Sequence, residues 1–310
     1  MKLCLSIEVQ EGLSYEETLA LARASEAAGF DAALLADHYY PTAGPIDRPA
    51  ADAWIYLGAL ARETERIRLG TLVSPVTFRH PAVLAKLAAT LDRVSGGRAE
   101  LGVGAGWLEA EHTAYGFDFP PGPDRVSLLE EQLQVIKGLW TADSFTHAGP
   151  RYRLSGCHFT PAGIRRPHPP LLVGGRPPAR RIPRLAARYA DEYSTTRATP
   201  DQCREVRSRL DHACEAIGRD PATLSFSILT GLCVGESDAE VKQRLAALGQ
   251  AGPDALRGLE AWITGTPREA ADRVRRLAAA GVDRLMLSVE GDLHREMIPL
   301  LGERVLPLLA

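Results

Sequence analysis

The sequence predicts an α/β fold, a single (β/α)8 TIM barrel over residues 1–310 with insertion segments at its carboxyl-terminal face. Three observations lead there. Short apolar, β-rich runs alternate with longer segments of helical period, as a parallel sheet with crossover helices requires. Eight strands follow in regular order, which favours a closed barrel over a doubly wound open sheet, since the latter usually has fewer strands and a switch point. The run Ala32-Ala33-Leu34-Leu35-Ala36 is apolar throughout, the composition of a strand covered on both faces.

The first strand covers residues 3–9. A helix at 15–28 opens on Ser14 with Glu17 three residues on, the pattern of a capping box, and stops at Gly29. The second strand, 32–36, ends at Asp37-His38. A helix near 50–63, a strand at 67–73, a helix at 81–95 and a strand at 98–103 complete four βα units. After Gly106 the rhythm gives way to a long loop with Pro120-Pro121-Gly122-Pro123, followed by a helix at about 125–140. Residues 145–154 read as a hairpin within an insertion at about 141–168. The second half resumes with strand 171–173, helix 178–189, strand 193–195, helix 200–217, strand 224–234, helices 238–248 and 267–280, and strand 284–289. A last helix, about 293–309, packs outside.

A composition of 45% hydrophobic and 24% charged residues excludes a disordered or fibrous chain. The net charge of −3, with arginines spread along the chain, gives no bias toward nucleic acid or an anionic membrane surface. Too few apolar residues precede Glu8 for a secretory leader, and no later run reaches spanning length, so a cytoplasmic protein without membrane partners is expected. Cys4, Cys157, Cys203, Cys214 and Cys233 are odd in number and lack C-x-x-C spacing, which reads as reduced thiols. The eight histidines show no metal-ligand spacing, so no metal site is expected.

In such a barrel the site forms at the carboxyl ends of the strands. Those ends carry Glu8, Asp37-His38, Val73-Ser74-Pro75, Gly102-Val103-Gly104-Ala105-Gly106-Trp107, Gly174-Gly175-Arg176 and Ser194-Thr195-Thr196, a polar, glycine-marked rim suited to a cofactor. Asp37-His38 brings a carboxylate and an imidazole to the mouth, where the histidine can exchange a proton beside a hydride transfer. Alternatively Asp37 caps the next segment and His38 packs under a loop. The third glycine of Gly102 to Gly106 comes one residue early for a dinucleotide fingerprint. Small residues at alternate positions there suit a flat ring against the backbone, or else a tight loop with no ligand. Gly174-Gly175 before a helix offers N–H donors to a phosphate, though Pro177 and Pro178 offer none, and a plain loop is the alternative.

Beyond these separate signals, Ala36-Asp37-His38, the segment Leu69-Gly70-Thr71-Leu72-Val73-Ser74-Pro75-Val76-Thr77-Phe78-Arg79-His80-Pro81, Ser95-Gly96-Gly97-Arg98, Leu101 with the glycine run to Trp107, and Pro169-Pro170-Leu171-Leu172-Val173-Gly174-Gly175 resemble the bacterial luciferase-like monooxygenase superfamily. They look most like its coenzyme F-420-dependent oxidoreductases, and the similarity runs in the same order over nearly the whole chain. The resemblance implies that His38 is the active-site histidine and Asp37 a cofactor-contacting carboxylate. It implies a non-prolyl cis peptide at Leu72-Val73 backing the ring, with Ser74 beside it. Ala105 and Gly106 would contact the ring edge and side chain, and Gly174, Gly175 and Arg176 the phosphate. Glu8 and Trp107 fall in the substrate pocket. Two departures stand out. Relatives that oxidise a sugar phosphate place a carboxylate where Trp107 stands, as a partner to the histidine, and relatives often carry Trp and Asn in the stretch held here by Tyr193-Ser194-Thr195-Thr196.

The expected activity is hydride transfer between the deazaflavin C5 of F-420 and a small organic substrate, in a homodimer as is common among relatives. The alternatives are an FMN-dependent monooxygenase using reduced flavin and oxygen, a non-catalytic flavin-binding barrel, and a phosphosugar barrel without flavin, which usually sets its phosphate loop after strands seven and eight.

Overall fold

The computed structural model describes residues 1–42, 45–176, 180–250, 259–289 and 294–309. In chain order the first half comprises β1 (Lys2–Ile7), α1 (Tyr15–Ala27), β2 (Ala32–Leu35), α2 (Ala53–Glu63), β3 (Arg68–Thr71), β4 (Ser74–Pro75), α3 (Pro81–Val94), β5 (Ala99–Gly104), α4 (Glu109–Tyr115) and α5 (Gly122–Thr141). The antiparallel hairpin β6 (Phe145–Ala148) and β7 (Arg153–Cys157) follows. The second half comprises β8 (Leu171–Gly174), α6 (Arg181–Tyr189), β9 (Glu192–Thr196), α7 (Pro200–Glu215), β10 (Ser225–Val234), α8 (Asp238–Gln250), β11 (Ile263–Gly265), α9 (Pro267–Ala279), β12 (Arg284–Ser288) and α10 (His294–Leu300).

The strands pair in parallel in the order β1-β2-β3-β5-β8-β9-β10-β12, and β12 returns to β1, so the sheet closes into the expected barrel. Local signals account for the helices. Ser14 and Glu17 form the predicted capping box on α1, and Thr199 with Gln202 form another on α7. Gly29 turns the chain out of α1 with φ +83°, a conformation glycine adopts without penalty.

The structure corrects the sequence reading in three places. The loop after Gly106 contains α4, a seven-residue helix too short to show its period but ended by Gly116 in the left-handed region (φ +71°). A short strand, β11, pairs alongside β10. The terminal helix is broken: Pro299 lies inside α10, which gives way to a π-turn at Leu301–Val305 and a 3-10 turn at Leu306–Leu308. The predicted starts of α6 at residue 178 and of the last helix at 293 lie outside the described residues.

Alternation along each strand separates two cores. The outward set, including Leu3, Leu5, Leu35, Leu101, Val173, Phe226 and Leu285, packs under the helices. The inward set is small, Cys4, Ala32, Leu34, Leu172 and Met286, with Leu72, Val73 and Leu229 against it. At the amino-terminal end the interior is ionic. Arg284 donates to Glu100 at 3.0 Å and to Glu192 at 2.7 Å, and lies 3.1 Å from Asp31; Arg68 reaches Glu100 at 2.6 Å. Burial opposes charge on Glu100, but the two arginines prevail and hold its carboxyl below the ordinary value. This plug closes one end of the barrel and leaves the other for a ligand.

Candidate functional site

At the carboxyl end the inward side chains stop being fully buried. Leu72, Val73, Gly174, Thr196, Leu229 and Ser288 are all partly exposed, although each sits at the centre of the barrel mouth. This is an apolar floor with hydroxyls on one side, open to solvent. Leu72-Val73 is a cis peptide, as the resemblance implied.

The glycines of β5 have a different cause from the one anticipated. A Cβ at Gly102 would press into the Thr71 carbonyl oxygen, and one at Gly104 would come 2.7 Å from Val73 Cγ2. These residues are small because the β3–β4 segment crosses directly over them, and a flat ring is not required to explain them. Gly174 belongs to the same packing, with its notional Cβ 3.2 Å from Val73 Cγ1. The glycines therefore hold Val73 at the floor.

Asp37 is 1% exposed, and donors surround its carboxylate. Oδ2 accepts from Ser74 Oγ (2.5 Å), Arg79 Nη1 (2.6 Å) and Trp54 Nε1 (3.2 Å), and Oδ1 accepts from Arg79 Nη2 (3.2 Å). Burial pushes the carboxyl up from its ordinary value, while Arg79 and Ser74 pull it back toward the charged form. Asp37 thus ties the end of β2 to Ser74, next to the floor residue Val73. Trp54 and Arg79, both essential to this arrangement, were assigned no role from sequence.

His38 meets a partner that sequence reasoning missed entirely. Its Nδ1 lies 3.0 Å from Glu111 Oε2, and the other Glu111 oxygen accepts the Tyr39 N–H at 2.5 Å. Glu111 is completely buried, and the His38 side chain is 12% exposed. Burial disfavours the imidazolium, but Glu111, with Glu8 and Asp37 behind it, outweighs that and raises the His38 pKa above its ordinary value. The carboxylate partner absent at position 107 is therefore supplied by α4, four residues later. Within Glu109–Tyr115 nothing in the sequence sets Glu111 apart from a solvated carboxylate.

Trp107 is 53% exposed, stands edge-on to His38 at 5.7 Å between ring centroids, and carries the Arg176 guanidinium 5.5 Å from its own ring centre. Glu8 lies on the same side, bonded to Ser6 Oγ and Gln10 Nε2 at 2.9 and 2.8 Å. Ala105 and Gly106 are half-buried, and Gly106 turns the chain with φ +77°.

The glycine pair supplies fewer donors than expected. Gly175 N–H continues the ladder to the Ser194 carbonyl at 2.9 Å, because the β8–β9 pairing runs one residue past the predicted end of the strand. A Cβ on Gly175 would meet Ile182 Cγ2 at 2.8 Å, so helix packing explains this glycine. Arg176 remains as an exposed cation at this corner, whereas Pro177 and Pro178 lie outside the described residues. The mouth thus gathers Glu8, His38, Leu72, Val73, Trp107, Gly174 and Arg176, while Asp37 and Ser74 support it from beneath.

This chemistry fits a flavin-like group: an apolar floor for a ring, an imidazole with a proton to exchange, and a guanidinium for an anionic tail. A separate cleft of about 390 Å3 between α8 and α9, lined in part by Lys242, Thr264, Glu269 and Arg273, has no imidazole or thiol among its described lining residues for such a role. Among the described residues no cluster of histidine, cysteine and carboxylates is arranged to hold a metal ion, and no helix is long and apolar enough to cross a membrane.

A family model described as luciferase-like monooxygenase matches residues 3–284. An FMNH(2)-dependent dimethylsulfone monooxygenase of Pseudomonas putida is 29% identical, covering 93% of this chain and 86% of its own. An F420-dependent glucose-6-phosphate dehydrogenase of Nakamurella multipartita is also 29% identical, covering 93% and 91%. The solved structure of an F420-dependent secondary alcohol dehydrogenase in complex with an F420-acetone adduct superposes with a TM-score of 0.84, at 22% identity and over 100% and 99% of the two chains, which shows the shared barrel.

Proposed function

This chain belongs to the luciferase-like monooxygenase family of flavin- and deazaflavin-dependent oxidoreductases, and from that premise we propose that it uses coenzyme F-420 to transfer a hydride to or from a small organic substrate. When bound, the deazaflavin supplies a carbon centre that accepts or gives the hydride. The protein's own contribution is to position and to move a proton. Leu72, Val73 and Leu229 would give the ring an apolar seat, and Arg176 would hold the anionic tail. His38 takes the proton from a substrate hydroxyl, or returns it to a carbonyl oxygen, as the hydride moves. Trp107 walls the substrate side and favours a substrate of low polarity.

The observation that carries this reading is His38 at the mouth, paired with a buried carboxylate and favoured in its protonated form. His38→Ala should keep cofactor binding and lose most turnover, about 100-fold or more if it acts as general acid and base. Unchanged turnover would remove it from the mechanism.

The Pseudomonas relative favours a second reading, an FMN-dependent monooxygenase. Titration of the purified protein with each cofactor separates the two, since tight FMN binding without affinity for F-420 overturns the first. A cofactor that binds but is never reduced or reoxidised by any donor or acceptor would mean a non-catalytic barrel. A homodimer is supported by exposed Ile55 and Val83 on the neighbouring helices α2 and α3.

A further inference from the structure

We propose that Glu111 is a positioning residue that sets the tautomer of His38, fixing its proton on Nδ1 and leaving Nε2 to exchange the proton of the reaction. This rests on the reading of His38 as the proton carrier. A carboxylate only accepts hydrogen bonds, so the ring nitrogen 3.0 Å from Glu111 Oε2 must bear the hydrogen. In the neutral ring Nε2 then holds the lone pair, and among the described residues it has no hydrogen-bond partner. The two nitrogens are distinguished by the fold before any substrate arrives.

Glu111 is itself held. Its second oxygen accepts from Tyr39 N–H, the residue after His38, so one carboxylate spans consecutive positions of the chain. The next residue, His112, is 1% exposed and anchors α4. His112 Nδ1 donates to the Leu108 carbonyl at 2.7 Å, and Nε2 meets Thr77 Oγ1 at 2.6 Å. The helix that carries the carboxylate is thus pinned, and both carboxylate oxygens are engaged.

The other charged groups around His38 come from three directions. Glu8 follows β1, Asp37 ends β2 with Arg79 bound to it, and Arg176 sits beyond Trp107. Glu111 is the carboxylate hydrogen-bonded to the ring. Its loss should alter both the tautomer and the proton affinity of His38, in a way that general loosening of the fold would not.

The test is nitrogen-15 and proton NMR of the full chain with labelled histidine, using His38→Gln to assign the signal. No cofactor is needed, so the outcome is independent of whether F-420 is the coenzyme. The wild type should show neutral His38 with hydrogen on Nδ1 and a midpoint above the ordinary value of 6.5. Glu111→Gln should lower that midpoint by about one pH unit or more, and Glu111→Asp should restore part of it. A wild-type ring with hydrogen on Nε2 overturns the proposal, even if Glu111→Gln does not fold. So does a folded Glu111→Gln protein whose His38 titrates as in the wild type.

Discussion

Replacing Asp37 by asparagine separates two roles that one carboxylate could have at the barrel mouth. The side chain accepts four hydrogen bonds, three on Oδ2 and one on Oδ1, from Trp54, Ser74 and Arg79. An asparagine there has one accepting oxygen. If that oxygen takes the crowded position, the amide NH2 faces the Arg79 guanidinium, donor against donor. Arg79 is 11% exposed in its side chain and loses its closest counter-charge, though Asp52 Oδ2 remains 3.1 Å away. Breaking a buried ion pair costs about 3–5 kcal/mol, and the surviving Asp52 contact argues for the lower figure, about 3 kcal/mol. Unfolding entropy of about 2.1 cal/mol/K per residue, over 310 residues, converts this to a fall of about 5 °C in Tm. Scanning calorimetry of Asp37→Asn beside the wild type measures it, with cofactor titrations on both proteins in parallel. The expected result is a lower Tm with cofactor affinity reduced only modestly. An unchanged Tm with abolished cofactor binding would refute the supporting role and make Asp37 a direct contact.

Gly102→Ala should destabilise by about 1–3 kcal/mol or more, because the new methyl group presses into the Thr71 backbone carbonyl, which cannot rotate aside as a side chain would; chemical denaturation with unchanged midpoint would show that β3 and β5 can separate. Arg284→Met should move acid unfolding to higher pH. Glu100, whose folded pKa lies below the unfolded carboxylate value, contributes stability that is present above that value and lost as pH falls through the folded one, and Arg284 is the largest cause of the lowering. Circular dichroism against pH from 7 to 2 reads the shift, and coincident wild-type and variant curves would mean that Arg68 and Arg165 hold Glu100 without Arg284.

Much of the architecture is written locally. Strand runs, the capping box at Ser14 and the stop at Gly29 are decided by neighbours a few residues apart, so the barrel and the order of its elements follow from the chain read once through. His38 was legible for the same reason, since it directly ends an apolar strand. The seven-residue α4 and the three-residue β11 were not, because each is shorter than the window in which a period can be recognised.

The sequence by itself therefore determined the closed parallel barrel, its hairpin insertion and the end of it that bears polar residues. The partners were decided by tertiary structure. His38 and Glu111 are 73 residues apart, Asp37 and Arg79 are 42 apart, and Arg284 and Glu100 are 184 apart. Such pairs have no local signature: a carboxylate on a short helix looks like any solvated charge until closure of the sheet removes its water and leaves one imidazole within reach. Glycine misleads for the same reason, because Gly102 and Gly175 are small on account of a strand and a helix that only the folded chain brings against them.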